Sequence, residues 1–458
     1  METSDMNFED FAQSSARAGD EVVGLATRSG VRDNWRCLLT ALFDPGAQVA
    51  NVKAYRASSS AADTTLASAA GAGATSITLA DASTFAIQYG IMIVGAGAAG
   101  ARYIGEITAK SGSVLTISPP TSTAVGAGAV VRHDDTDAIK TAINSLPNGG
   151  IVFFPPGRYR LSSKLTLGSR THLIGAGGGR YQETGVTSLE WSDITASYGL
   201  ELGGNTNFNR IQGMQLRGPG LNNTNTTGIL AAYGENFTIA DVLVYGWGIG
   251  VNYYGVQGQH AGVEIINCYG DCLLLRECQR WTSFGSLYSN SVTGSCVHLS
   301  ADGAGCHDIH FYDPVIDECG GIAAVQIDKG TDISINNCLI YAGKGTGIGG
   351  GYGVRLGDNT NTPSRVRLAN VRVRPYNLAD PPSVLVKNIL LRGAGHSLRD
   401  VTTAVMTGYS GSDIQDDATA TVMWNVNGRY RPGGIATSAG SVVSGDLYSN
   451  GGVLTIKP

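Results

Sequence analysis

The chain has 458 residues and a formal net charge of −5, with 32 basic against 37 acidic residues, and only 15% of it is charged. This balance supplies no basic stripe for a phosphate backbone, so nucleic acid is not an expected partner. Its 64 glycines suit short strands and turns better than helices; no segment approaches the roughly 20 apolar residues that span a bilayer, so no membrane partner is expected either.

The opening Met1-Glu2-Thr3-Ser4-Asp5-Met6 lacks the basic and apolar regions of a secretion signal, which predicts synthesis in a cytoplasm. Residues 1–50 read as a separate N-terminal segment, and residues 57–132 as a small inserted β module. Within the module, Ile91-Met92-Ile93-Val94-Gly95-Ala96-Gly97-Ala98-Ala99-Gly100 satisfies G-x-G-x-x-G after an apolar run, as a dinucleotide-binding turn does. Its surroundings point elsewhere. Tyr103-Ile104-Gly105-Glu106-Ile107-Thr108 alternates as a strand, and Ser111-Gly112 reads as a hairpin turn. Val114-Leu115-Thr116-Ile117-Ser118 ends without an acidic ribose ligand, and Ser76-Ile77-Thr78-Leu79 is a similar strand. No cofactor is expected.

Asp134-Asp135-Thr136-Asp137 introduces a run in which Ile139, Ala142, Ile143 and Leu146 keep helical spacing, and Gly149-Gly150 permits the stop. The aspartates supply the N-cap and early negative charge of a short amphipathic helix. Its apolar stripe can cover the open end of a repeat structure.

Such a repeat follows, over residues 133–427, with 428–458 read as a C-terminal β segment. Coil starts fall at Asn209, Phe237, Ala261, Trp281, Asp308, Asp332, Arg365 and Asn388, about two dozen residues apart, which predicts a solenoid. Overlaying the coils puts Asp241, Asp313, Asn337 and Asn370 in one column, where stacked polar side chains can fix a corner. A second recurring strand places Ile249, Leu273, Val297, Val325 and Val354 inward, with Leu274, His298, Gln326 and Arg355 on an outer face. That face is a candidate glycan groove.

Seven of the eight cysteines, Cys268, Cys272, Cys278, Cys296, Cys306, Cys319 and Cys338, lie in the coils without paired C-x-x-C spacing, and Cys272 and Cys296 share a column. They read as buried free thiols. His307 and His310 lack identifiable further ligands, so no metal site is assigned.

Asp134-Asp135-Thr136-Asp137-Ala138-Ile139, Gly150-Ile151-Val152-Phe153-Phe154-Pro155-Pro156-Gly157-Arg158-Tyr159-Arg160 and Leu173-Ile174-Gly175-Ala176-Gly177 together resemble the opening of the pectate-lyase-like superfamily. The resemblance implies an all-β fold, a right-handed single-stranded parallel β-helix. Asn51-Val52-Lys53-Ala54-Tyr55 matches the start of that family's N-V-K-x-Y-G phrase; the match breaks at Arg56 and resumes near Asp134, which marks the insertion. At the two ends, Ala18-Gly19-Asp20-Glu21-Val22-Val23-Gly24-Leu25 with Gly30-Val31-Arg32, and Ser444-Gly445-Asp446-Leu447-Tyr448-Ser449-Asn450-Gly451-Gly452-Val453-Leu454-Thr455-Ile456, resemble segments of bacteriophage tail fibres and tailspikes. This implies a virion tail protein, homotrimeric, attached through its N-terminus to a phage tail or baseplate protein, and binding or cutting bacterial surface polysaccharide. The same fold also serves non-catalytic receptor-binding or structural tail proteins.

Cutting a glycosidic bond takes two carboxyls, at roughly 5 Å for retention or 6.5–9.5 Å for inversion. Tyr269-Gly270-Asp271-Cys272-Leu273-Leu274-Leu275 resembles the G-D-D-C-I-A-I segment of polygalacturonases and makes Asp271 the first candidate, although Gly246-Trp247-Gly248 stands where that family has N-T-D. Asp317 and Glu318, two coils on, are candidate distant partners, and Glu277 with Asp302 is a rival pair in adjacent coils. Arg276 and His298 can hold an acidic sugar or move a proton, a role that points toward a lyase. Gln326 and Arg355 lie on the same face. Trp247, Tyr253, Tyr254, Trp281 and Tyr288 are candidates to stack on sugar.

Overall fold

Each coil is laid down as short strands that pair in parallel and in register with those of the coils before and after. Cys306–Tyr312, Val315–Cys319 and Ala323–Ile327 stack under Gly330–Asn336, Leu339–Ala342 and Gly351–Leu356. The computed structural model describes residues 48–60, 62–178, 185–192, 194, 197–342, 351–358, 360–375, 385–403, 414–419, 421–426, 429–431, 447–450 and 453–456. The N-terminal segment as far as residue 47, with its leader-like motif, and Ser444-Gly445-Asp446 lie outside the described residues. The first two strands of each coil join one 21-stranded sheet and the third joins a sheet of 10 strands. This is a right-handed parallel β-helix, with the crossover hand that parallel strands adopt.

Alternation along the third strands builds the core. Val251, Leu273, Val297, Val325, Val354 and Ile389 share one inward column and are buried, each contributing about 1.5–3 kcal/mol. Val251 occupies the place expected for Ile249, which pairs with Thr227 instead and is half-buried. The start at Asn388 also shifts: it belongs to the smaller sheet, on Leu385–Leu391, because Asn388-Ile389-Leu390-Leu391 mimics the opening of a coil.

The polar corner column is present, and longer than the sequence alignment showed. Asp241, Gly262, Gly285, Asp313, Asn337, Asn370 and Asp400 succeed one another in the register, all with φ between 51° and 59°. Left-handed backbone is least costly for glycine, asparagine and aspartate, which explains the column's composition. Asn370 Nδ2 donates to Asn337 Oδ1 at 3.0 Å.

The helix runs over Thr136–Asn144, and Ile139, Ala142, Ile143 and Leu146 join the coil core. Its cap differs from the expected one. Asp134 Oδ1 accepts from the Thr136 backbone N–H at 3.1 Å, whereas buried Asp135 accepts from the backbone of Ser58 and Arg160. Residues 64–133 form a separate antiparallel sheet of 6 strands with its own core around Phe85, Ile91 and Ile107. There the glycine motif leads through a short 3₁₀ turn at Ala98–Gly100 into an antiparallel strand, Tyr103–Ser111. The turn opens no helix that could face a pyrophosphate. Leu447–Asn450 and Val453–Ile456 make an antiparallel hairpin.

Candidate functional site

The outward row of the 10-stranded sheet runs through Asn252, Leu274, His298, Gln326 and Arg355. Strand alternation puts Ser300 and Asp328 outward as well, two residues beyond His298 and Gln326. Asp271 enters from the turn before its strand.

These positions converge on His298. Its Nδ1 lies 2.9 Å from Asp271 Oδ2 and its Nε2 lies 3.0 Å from Asp328 Oδ2, so three successive coils contribute a carboxylate, an imidazole and a carboxylate. Each end is braced. The Ser295 N–H donates to Asp271 Oδ1 at 2.7 Å, and Gln326 Nε2 donates to both oxygens of Asp328 at 3.0 Å. Ser295 Oγ in turn donates to Gln326 Oε1 at 3.2 Å. Gly294 permits this packing, since a β-carbon there would stand 2.4 Å from the Asp271 backbone nitrogen and 2.6 Å from Asp271 Oδ1.

Burial alone would lower the His298 pKa, but its hydrogen bonds to Asp271 and Asp328, with their charge, outweigh it and raise the value to about 9. The ring is therefore a cation at neutral pH. The site side chains retain partial access to solvent, 19% for His298, 16% for Asp271 and 13% for Asp328.

The rival pair lies beside this row. Arg276 Nε meets Asp302 Oδ2 at 2.6 Å, and Ser300 Oγ donates to the same oxygen at 2.7 Å. The Ser300 bond first and the Arg276 bond second hold the Asp302 carboxyl below the usual range. Arg276 also sits 5.2 Å above the Tyr254 ring. Asp302 is thus engaged with Arg276 and Ser300, while Glu277 stands at a left-handed corner with φ 51°.

Asp317 and Glu318 stand elsewhere. They belong to Val315–Cys319 of the larger sheet, where Asp317 stacks on Ser289 and Glu318 takes a left-handed corner in line with Asn290 and Asn267. The distant carboxyl that the structure joins to Asp271 through His298 is Asp328. It was reachable by continuing the alternation Gln326-x-Asp328 one step further.

Trp247 is corrected outright. It is fully buried, its indole N–H donates to the Leu216 carbonyl at 3.1 Å, and its ring packs on Trp191, so it cannot meet a sugar. Tyr253, Trp281 and Tyr288 are equally buried; only Tyr254 of that group reaches the surface. Gln326 is 8% exposed and holds Asp328 in place, while half-buried Arg355 continues the outer row one coil on. The seven described cysteines are buried free thiols, and no group of metal-binding side chains occurs among the described residues.

Residues 123–349, which contain this whole arrangement, match the family model described as rhamnogalacturonase A/epimerase, pectate lyase-like. Over these residues the parallel β-helix is similar to that pectate-lyase-like family. No curated protein matches the sequence. Solved structures similar to this β-helix include Geobacillus virus E2 ORF18, at 17% identity and TM-score 0.47 over 66% of this chain and 60% of that one. The Dettilon tailspike protein gp208 aligns at 16% identity and TM-score 0.43, over 64% and 58% of the two chains. DFA-IIIase from Arthrobacter chlorophenolicus A6 in complex with GF2 aligns at 14% identity and TM-score 0.46, over 70% and 88%. The chain thus spans less than two thirds of the length of the first two proteins.

Proposed function

We propose that this pectate-lyase-like protein is a bacteriophage tailspike that binds a bacterial surface polysaccharide and hydrolyses it at Asp271, His298 and Asp328. The observation that carries the reading is the imidazolium held between two carboxylates on the solvent-facing side of the smaller sheet. The tail-fibre-like segments at both ends support placement on a virion. Homotrimer formation, and attachment to a phage tail or baseplate protein through the N-terminal segment, belong to the same reading.

The chemistry follows from where the proton is. Asp271 and Asp328 flank the His298 ring at 2.9 and 3.0 Å from its two nitrogens, which sets their carboxyl oxygens roughly 7 Å apart, two hydrogen bonds plus the width of an imidazole, a scale that suits an inverting arrangement. His298 stores the proton. One carboxylate takes it and passes it to the departing glycosidic oxygen as the carbon–oxygen bond breaks; the other takes the proton of the attacking water and returns it to His298. Atoms balance, and the row ends as it began. With two carboxylates against one imidazolium the row does not favour an anionic sugar, so hydrolysis is preferred over the elimination a lyase performs on uronates.

A second reading is a non-catalytic receptor-binding or structural tail protein. One observation favours it: both nitrogens of His298 are already engaged, so proton transfer requires one bond to open. Incubation of the purified protein with surface polysaccharides of candidate hosts tests both readings. New reducing ends that vanish in Asp271→Asn support hydrolysis. Absorbance from an unsaturated uronate replaces it by a lyase, and binding with neither product supports the adhesin.

A further inference from the structure

One turn beside the proposed site is built from residues its backbone does not favour. Tyr233, Gly255 and Glu277 succeed one another in the register at φ of 53°, 62° and 51°. Glycine is the natural occupant of such a column; a tyrosine there costs roughly 1–2 kcal/mol. The neighbouring chain makes room for the two costly side chains. A β-carbon on Gly255 would stand 2.8 Å from the Tyr233 ring, and one on Gly303 would overlap the Glu277 carboxylate.

The ring so accommodated is not used for packing in the core. Tyr233 is 52% exposed and stands perpendicular to Tyr254 with centroids 4.9 Å apart. Tyr233 and Glu277 both act on the Tyr254 hydroxyl and raise its pKa, and the Tyr254 ring lies under Arg276, which Asp302 holds. An exposed aromatic face is thus fixed next to two carboxylates and one guanidinium. It lies three strands before His298 on the same sheet, about 14 Å along it.

We infer that Tyr233, with Glu277 and Arg276, forms a subsite for a neutral sugar residue of the polysaccharide. The inference rests on the reading that this face binds glycan. The apolar face of a pyranose covers the Tyr233 ring, while its hydroxyls meet the Glu277 carboxylate and the Arg276 guanidinium, the mixture of one aromatic wall and few convergent polar groups that small-ligand sites use. The surplus of carboxylate over guanidinium disfavours a uronate at this position.

The test is binding of the full chain to an array of bacterial surface polysaccharides, neutral and uronate-containing. Wild-type protein is expected to bind glycans that contain neutral residues. Tyr233→Ala weakens that binding about tenfold, the weight of one aromatic contact, and Tyr233→Phe, which keeps the ring, restores it. Unchanged melting temperature in both variants shows that the turn survives. Equal binding by wild type and Tyr233→Ala overturns the subsite, as does equal loss in Tyr233→Phe, preference for purely uronate polymers, or no binding at all. The array reads binding and not cleavage, so a protein that releases no reducing ends loses the hydrolase reading while this result stands.

Discussion

His298 Nε2 lies 3.0 Å from Asp328 Oδ2, a contact between the outward face of one coil and the end of the strand stacked upon it. It completes a row that begins at Asp271, one coil earlier. The register of the sheet sets the spacing, since each member stands one strand from the next. Gln326 and the Ser295 backbone N–H bond the ends of the row, and the two side chains bond each other, so the geometry is held by groups that need not touch substrate.

Removing either carboxylate should therefore stop the chemistry. Asp271→Asn and Asp328→Asn are each expected to lower the release of reducing ends by about 100-fold or more, the scale of general acid–base catalysis. Glu318→Gln, at a corner of the larger sheet, should stay within a few-fold of wild type. Full activity in Asp328→Asn would place the reaction elsewhere.

Stability should depend on pH through His298. Its pKa rises from 6.5 to about 9 on folding, so the folded protein binds the proton more tightly than the unfolded chain. The contribution is fully present below 6.5, shrinks as pH rises, and is gone above about 9; a shift of this size corresponds to about 3 kcal/mol. Urea unfolding should show that loss between these limits in wild type. In His298→Gln the slope across this window should flatten, and an unchanged slope would assign it to another group.

The architecture was legible because its signals repeat. The corner column could be read from Asp313, Asn337 and Asn370 alone, since left-handed backbone selects the same few residues coil after coil. His298 and Gln326 could be placed on the outer face by alternation, and Asp271 is marked by its resemblance to the G-D-D-C-I-A-I segment. Asp328 lies one residue beyond the recurring strand pattern, which ends at Ile327, and Gly248-Ile249-Gly250-Val251 offers two apolar positions with the same parity, so the pattern does not separate Ile249 from Val251. Trp247 misled for a different reason. The slot that takes its indole inward is made by Gly199, Gly218 and Gly228, where a β-carbon would stand within about 3 Å of the ring. These glycines lie in earlier coils, and no local pattern connects them to it.

The corner ladder makes its own prediction. Asn370→Ala places a β-branchless but non-glycine residue at φ 51° without the bond to Asn337, and should cost about 2 kcal/mol. Asn370→Gly loses the bond but fits the backbone, and should cost about half as much. Thermal melting of both variants checks the order. Alanine as stable as glycine would mean that the column does not select for backbone conformation.

Gly294 ties the backbone of one turn to the position of Asp271 in the coil before it. It lies in the turn between Leu287–Ser291 and Val297–Leu299, where a β-carbon would come within 2.4 Å of the Asp271 backbone nitrogen and the Gly270 carbonyl carbon and 2.6 Å of Asp271 Oδ1. In Gly294→Ala the Asp271 carboxylate must move, and with it the 2.9 Å contact to His298. The backbone of Gly270 and Asp271 must shift too, so the melting temperature should fall, while the buried column of the strands on either side keeps the protein folded by circular dichroism. Reducing-end release should fall more than about tenfold, because a displacement of about 1 Å in a reacting group is enough for such a loss. The Ser295 N–H bond to Asp271 should weaken in parallel, seen as faster amide exchange at Ser295. A variant with wild-type turnover and unprotected Ser295 would show that Asp271 need not be held where it is.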